Sequence, residues 1–231
     1  MAGFISEWWP GSNRNGGRHQ IGIPGRIASE FADKLAETLP AVEAEVNKAL
    51  SIEPNNGEAH LVLCYIEINS KRAIKGITEC ERVLTVDPSD AGVAHAHIGS
   101  AIMYLGRAEE TEGHINEGLQ LNPSDIGVPY FYTMAGEAKL LLGDDEKAAA
   151  WLRGAIERNA NQPLAHFYLA AALARLGQLD EARAQTRAGL ALDPKFTIAR
   201  ARAYSESDNP TYLAQRERLF EAMRKAGVPE Q

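Results

Sequence analysis

Four short segments centred on proline, SIEPNN, TVDPSD, QLNPSD and ALDPKF, place Pro54, Pro88, Pro123 and Pro194 at intervals of 34, 35 and 71 residues. The last interval is two periods with a small insertion. A period near 34 residues describes a chain built from stacked helix pairs, none of which can bury its apolar face alone. A chain of that kind works through a surface rather than a catalytic cleft.

Composition narrows the reading. With 45% hydrophobic and 24% charged residues in 231, the chain reads as an ordinary globular protein. Its apolar runs fall short of the roughly 18 to 20 residues of a membrane span, and MAGFISEWWPG lacks a basic segment followed by an apolar one. A cytoplasmic location is expected. Cys64 and Cys80, the only cysteines, fit neither a disulfide framework nor a zinc spacing and are predicted to be two buried thiols. Residues 41 to 196 carry 14 Lys/Arg against 22 Asp/Glu. Such a surface repels phosphate, which argues against nucleic acid and anionic membrane as partners.

The pairs Leu105-Gly106, Leu142-Gly143 and Leu176-Gly177 each stand the same distance ahead of the next landmark and set the frame. Four units follow: 57–90, 92–125, 129–162 and 163–196. In each, an apolar-periodic stretch, a tight turn and a second such stretch predict two antiparallel amphipathic helices. The glycine supplies the left-handed conformation that ends the first helix. The Asp or Asn before proline ends the second, since a pre-proline residue disfavours helix.

In this frame the chain resembles the tetratricopeptide repeat (TPR) family, whose pattern runs W-x-x-L-G-x-x-Y, then A-x-x-x-F, then Pro. The fourth unit fits best, with Leu169-Ala170, Leu176-Gly177, Ala182, Gly189, Leu190 and Pro194. The second offers Ile98-Gly99, Leu105-Gly106, Thr111, Ile115, Gly118 and Pro123, and the third Ala135-Gly136, Leu142-Gly143, Ala148, Leu152 and Ala155, with Ala160 in place of proline. The first departs most, since Ser70-Lys71 replaces the turn pair; the Trp site holds His60, His95, Tyr132 and His166. The resemblance implies an all-α, right-handed superhelical solenoid of stacked antiparallel helix pairs. Small residues at the crossing sites let the two backbones of each pair approach closely.

Residues 26–56 read as a degenerate N-terminal repeat, its first helix near 26–38 with an Ile27, Phe31, Leu35 stripe and its second at 42–54. Residues 1–25, rich in glycine, read as disordered or as the remnant of a neighbouring region; for Trp8 and Trp9, packing on the first helix is the alternative. Their GSNRNGGRHQIGIPG lacks both the spacing and the Lys-Ser/Thr of a phosphate loop. At the other end, 197–231 holds a short helix from Ile198 to Tyr204 and a capping helix started by Asn209 and Pro210 and stopped by Gly227 and Pro229.

No catalytic signature is found, and no enzyme, cofactor or metal is expected. His60, His95 and His166 share one repeat position, which spaces them about 10 Å apart, too far for one ion with bonds near 2 Å. His95 and His97 point to different sides of a helix. They are predicted to be packing residues.

In the TPR family the concave surface is lined by the first helices and holds extended partner segments. The resemblance assigns that lining here to Tyr65, Asn69, His97, Met103, Tyr104, Tyr130, Met134, Glu137, Phe167, Tyr168 and Arg175. An aromatic, Met and Arg lining has the composition of binding hot spots. The Lys/Asn clamp by which some relatives grip a chaperone's terminal carboxylate is absent, the sites holding Leu61, Tyr65, Ala96, Ser100, Thr133, Glu137, Phe167 and Ala171. An apolar or aromatic peptide partner is expected; self-association is left open. Finally, residues 41–231, above all DNPTYLAQRER and RKAGVPE, are similar to the C-terminal repeat regions of bacterial class III adenylate/guanylate cyclases and of some winged-helix regulators. Neither a cyclase nor a winged-helix domain is present, so that similarity implies only a regulatory or scaffolding arm in bacterial signalling.

Overall fold

The computed structural model describes the backbone of residues 28–231 and side chains from residue 39 onward; the expectations for 1–25, Trp8, Trp9, Ile27, Phe31 and Leu35 lie outside the described residues. The described chain is helical throughout and holds no strand. After α1 (Ala28–Ile52), four hairpins follow: α2 (Gly57–Asn69) with α3 (Ala73–Val86), α4 (Ala91–Tyr104) with α5 (Ala108–Leu121), α6 (Val128–Leu142) with α7 (Asp145–Arg158), and α8 (Pro163–Arg175) with α9 (Leu179–Leu192). The short α10 (Ile198–Ala203) and the final α11 (Pro210–Lys225) complete the chain. Each second helix packs on its own first helix and on the next, so the fold is a stack of antiparallel pairs, a TPR solenoid.

Local chemistry explains the boundaries. Gly106, Gly143 and Gly177 take positive φ values of 81°, 83° and 80° at the hairpin turns, and Lys71, at φ 61°, takes the same role where the first unit lacks glycine. The second helices end at Asp87, Asn122, Asn159 and Asp193. Three of these make the same turn: Asp87, Asn159 and Asp193 accept from the backbone N–H two residues on, at 3.1, 3.0 and 3.2 Å. The third unit therefore stops at Asn159 although Ala160 stands where the others have proline. The capping helix begins as expected, Asn209 accepting from the N–H groups of Thr211 and Tyr212.

Three expectations are corrected. Residues 28–52 form one continuous helix containing Pro40, not a hairpin. No glycine lies between 26 and 56 to reverse the chain, and proline removes one hydrogen bond without supplying a turn. Cys64 and Cys80 are joined as a disulfide between α2 and α3, with Cα atoms 5.4 Å apart. They occupy the crossing sites where Gly136 faces Leu152 in the third unit, a site so tight that a Cβ on Gly136 would lie 2.5 Å from Leu152 Cγ. The first helices, lastly, are not simply amphipathic. In α4 and α6 eleven residues each are buried, on nearly all sides, because a further layer covers them.

The hairpins depend on backbone contact. A Cβ on Gly118 would meet the Gly92 carbonyl oxygen at 2.6 Å, whereas one on Gly113 of the same helix meets nothing within 4 Å. Gly118→Ala should thus lose about 1 to 3 kcal/mol through overpacking, while Gly113→Ala should gain about 0.5 to 1 kcal/mol by removing the entropy cost of a mid-helix glycine. Urea unfolding of the two variants tests this opposition of sign. For the cysteines, the chain unfolded without reductant should take up no iodoacetamide and after reduction should take up two; reduction should cost about 3 kcal/mol on the loop-entropy scale.

Candidate functional site

The first helices of successive units touch one another, and the second helices make no comparable contact among themselves, so the stack curves with α2, α4, α6 and α8 on the inside. That inner wall is occupied. After α10 the chain turns back as a strap, Tyr204 to Asn209, and α11 lies across α8 and α6. Ser207 Oγ donates to the Tyr104 carbonyl at 2.6 Å and Asn209 Nδ2 to the Leu105 carbonyl at 3.0 Å, satisfying oxygens at the C-terminal end of α4. Asp208 pairs with Lys71 at 2.7 Å, Tyr212 meets the Tyr104 ring edge-to-face at 5.4 Å, and Thr186 Oγ1 donates to the Ala226 carbonyl at 3.0 Å. Arg216 holds the strap's start, its Nη2 donating to the carbonyls of Ala201 and Tyr204 at 2.7 and 2.6 Å, with Glu206 at 3.7 Å.

This cover decides the position of each expected groove residue. Met103, Tyr104, Met134, Glu137 and Phe167 are buried; Phe167 is fully enclosed and stacks on Phe196 at 4.0 Å. Tyr65, His97, Tyr130, Tyr168 and Arg175 are half-buried. Tyr65 and His97 meet edge-to-face at 5.8 Å. Arg175 faces its own scaffold, bonded to Asp145 and to the Leu140 carbonyl at 3.1 Å. In place of an open aromatic wall, the structure has a wall packed against the chain's own C-terminal segment. The sequence signal for this lay in the first helices themselves, since a helix apolar all round must be covered all round.

Electrostatics mark the same seam. Burial and then Glu206 raise the Glu137 carboxyl to about 8, against which Arg216 and the Tyr168 hydroxyl act in the opposite sense. Burial lowers the His97 imidazole to about 4. A carboxyl whose folded value lies above its unfolded one is held most favourably when protonated, so its contribution is full at low pH and is lost as pH rises through about 8. Glu137→Gln should accordingly be more stable than the parent above pH 8, by on the order of a few kcal/mol, with the gap closing toward pH 5. His97 titrates in both proteins, so the difference between their unfolding free energies, measured across pH, isolates Glu137.

A second cluster lies on the hairpins' flank. In each unit the residue at the Trp site faces the one 19 positions later: His60 Nδ1 with Glu79 at 2.6 Å, His95 Nδ1 with His114 Nδ1 at 3.4 Å, Tyr132 with Trp151 edge-to-face at 4.9 Å, and His166 Nδ1 with Gln185 at 2.7 Å. His60 and His166 also bond the backbone carbonyls of Pro54 and Ala160, at 2.9 and 3.0 Å, as packing residues would. His95 differs, for Glu117 Oε2 also stands 2.9 Å from its Nδ1. Sequence reasoning compared histidines between units and so missed this grouping within one; the 19-residue spacing was the available signal.

Family comparison agrees with this geometry. Residues 129–162 and 163–196 each match a tetratricopeptide repeat model. No curated protein matches the chain by sequence. Among solved structures, PilW, a type IV pilus biogenesis factor, superposes with a TM-score of 0.63 at 18% identity over 86% of this chain and 90% of its own. A thermophilic TPR protein of Thermus thermophilus gives 0.61 at 20% identity, covering 85% and 97%. YrrB, described as a TPR protein with an unusual peptide-binding site, gives 0.52 at 22%, covering 78% and 90%. These likenesses establish the fold, a TPR solenoid. Among the described residues no helix is long and apolar enough to cross a membrane.

Proposed function

We propose that the chain is a non-catalytic interaction scaffold whose inner wall receives a peptide segment of a protein partner. The observation that carries this reading is the strap with α11: the wall of first helices already holds a polypeptide segment, through a buried aromatic anchor (Tyr212) and hydrogen bonds to carbonyls at a helix end. TPR proteins as a class mediate protein–protein contacts, and one structural neighbour carries a peptide-binding site by its own description. Tyr65, His97, Tyr130 and Tyr168, half-buried along the seam, are the groove positions left for a partner. Met103, Tyr104, Met134, Glu137, Phe167 and Arg175 would support the wall from behind. The similarity of residues 41–231 to cyclase-associated repeat regions extends the reading to a regulatory arm in a signalling system; no comparison above names a cyclase, and the scaffold reading stands without it.

A photo-crosslinking amino acid in the native host tests this. Placed at Tyr130 it should capture a partner; placed at Arg187, exposed on a second helix, it should not. Arg216→Ala, which frees the strap's start, should raise the yield at 130. Capture at 187 with none at 130 would move the interaction off the inner wall.

A further inference from the structure

We propose that His95, His114 and Glu117 form a binding site for a divalent transition-metal ion of the zinc class on the second hairpin. The four units provide an internal comparison. At the same pair of positions, the first and fourth join an imidazole to a carboxylate or an amide oxygen, and the ring's other nitrogen is bonded to a backbone carbonyl. Those rings are satisfied by the protein. In the second unit the partner is another imidazole, and a carboxylate one helical turn further along α5 reaches the same point.

Three potential ligands thus converge: Nδ1 of His95 lies 3.4 Å from Nδ1 of His114 and 2.9 Å from Oε2 of Glu117, and one ligand atom of each residue lies within 4.8 Å of the other two. What can sit among them is a proton or a cation. The imidazole pair suits a metal: two donors on one tetrahedral ion, with bonds of about 2.0 to 2.1 Å, stand about 3.4 Å apart, and the two imidazole nitrogens stand at 3.4 Å, while Glu117, at 2.9 Å from His95, would back away slightly on its exposed side chain. Two imidazoles and one carboxylate match zinc-class ions rather than calcium or magnesium, which prefer all-oxygen ligands. Access is open from solvent, because the Glu117 side chain is 58% exposed while that of His95 is 19% exposed. Three protein ligands with a solvent-facing side leave a fourth position for water or for a donor from a partner.

The backbone supports the arrangement without help from an ion. His114 and Glu117 lie three residues apart on α5, which puts both on one face, and the Thr111 hydroxyl donates to the Gly99 carbonyl at 3.0 Å, holding α5 against α4 beside His95. The donors are therefore set by hairpin packing, which lowers the ordering cost of binding.

Zinc titration of the full chain, by competition with a chromogenic chelator, tests the site. Glu117→Gln removes an exposed ligand without touching the core. His114→Gln recreates the His–Gln pair that the fourth unit already holds at 2.7 Å, so it should fold. Each variant should lower zinc affinity at least 10-fold with its melting temperature unchanged, and the visible bands of the cobalt-loaded chain should vanish with His114→Gln. His60→Gln in the first unit should change neither reading. Equal affinity in His114→Gln and the parent, or no saturable zinc binding by the parent, would overturn the proposal.

Discussion

The structure depends on how closely two helical backbones can approach within each hairpin. At the α4–α5 crossing the Gly92 and Gly118 backbones touch with no side chain between them, and the α2–α3 pair is held at another crossing site by a covalent bond between Cys64 and Cys80. Close crossing leaves each first helix enclosed by its own second helix and by that of the preceding unit. Only one side remains, the inner one. An apolar side of that kind needs a cover from another chain or from this one, and α11 with the strap supplies it over α6 and α8.

That last layer was the least legible part of the fold. Repeat spacing, glycine turns and the closing Asp or Asn are local signals, and the helices lie where those signals put them, through to the capping helix started by Asn209. Where the capping helix docks is decided by contacts between residues about 100 apart, such as Ser207 with Tyr104. No periodicity encodes such a contact. The groove positions come from a family whose inner wall is open; Phe167 and Met103 fill those positions but serve as interior here, both fully enclosed. Residues 28–52 show the converse error, in which an apolar stripe at 26–38 and a repeat frame at 42–54 suggest a hairpin where the chain runs on as one helix.

The Cys64–Cys80 bond and the His95–His114 pair escape a linear reading for one shared reason. Disulfide-framework and zinc spacings describe proteins in which the chain is arranged around the bond. Here the hairpin is arranged first, and any two residues that it sets face to face acquire whatever chemistry their side chains permit. Sixteen residues of separation bring Cys64 to Cys80; nineteen bring His60 to Glu79, His95 to His114, Tyr132 to Trp151 and His166 to Gln185. One geometric slot thus carries an imidazole with a carboxylate, a pair of imidazoles, an aromatic pair and a polar pair, and a chain of similarly folded units can diversify in this way without altering its stack.

The strap is not held evenly. Its outer contact, Lys71 with Asp208, is an exposed ion pair of a type that contributes about 0 to 1 kcal/mol. The helix it leads into is held by Tyr212, which is fully enclosed and packs edge-to-face on the Tyr104 ring, and burying a side chain of that size contributes about 1.5 to 3 kcal/mol. A partner that approached from the α2 side would meet the weaker hold first, beside the half-buried Tyr65 and His97. It would compete with a covalently tethered segment, whose effective concentration is high, so its apparent affinity would fall by the fraction of molecules in which the strap is open. On the proposed function, selectivity would then follow from the fold itself, since only a segment that bound the aromatic wall better than the strap does would take its place.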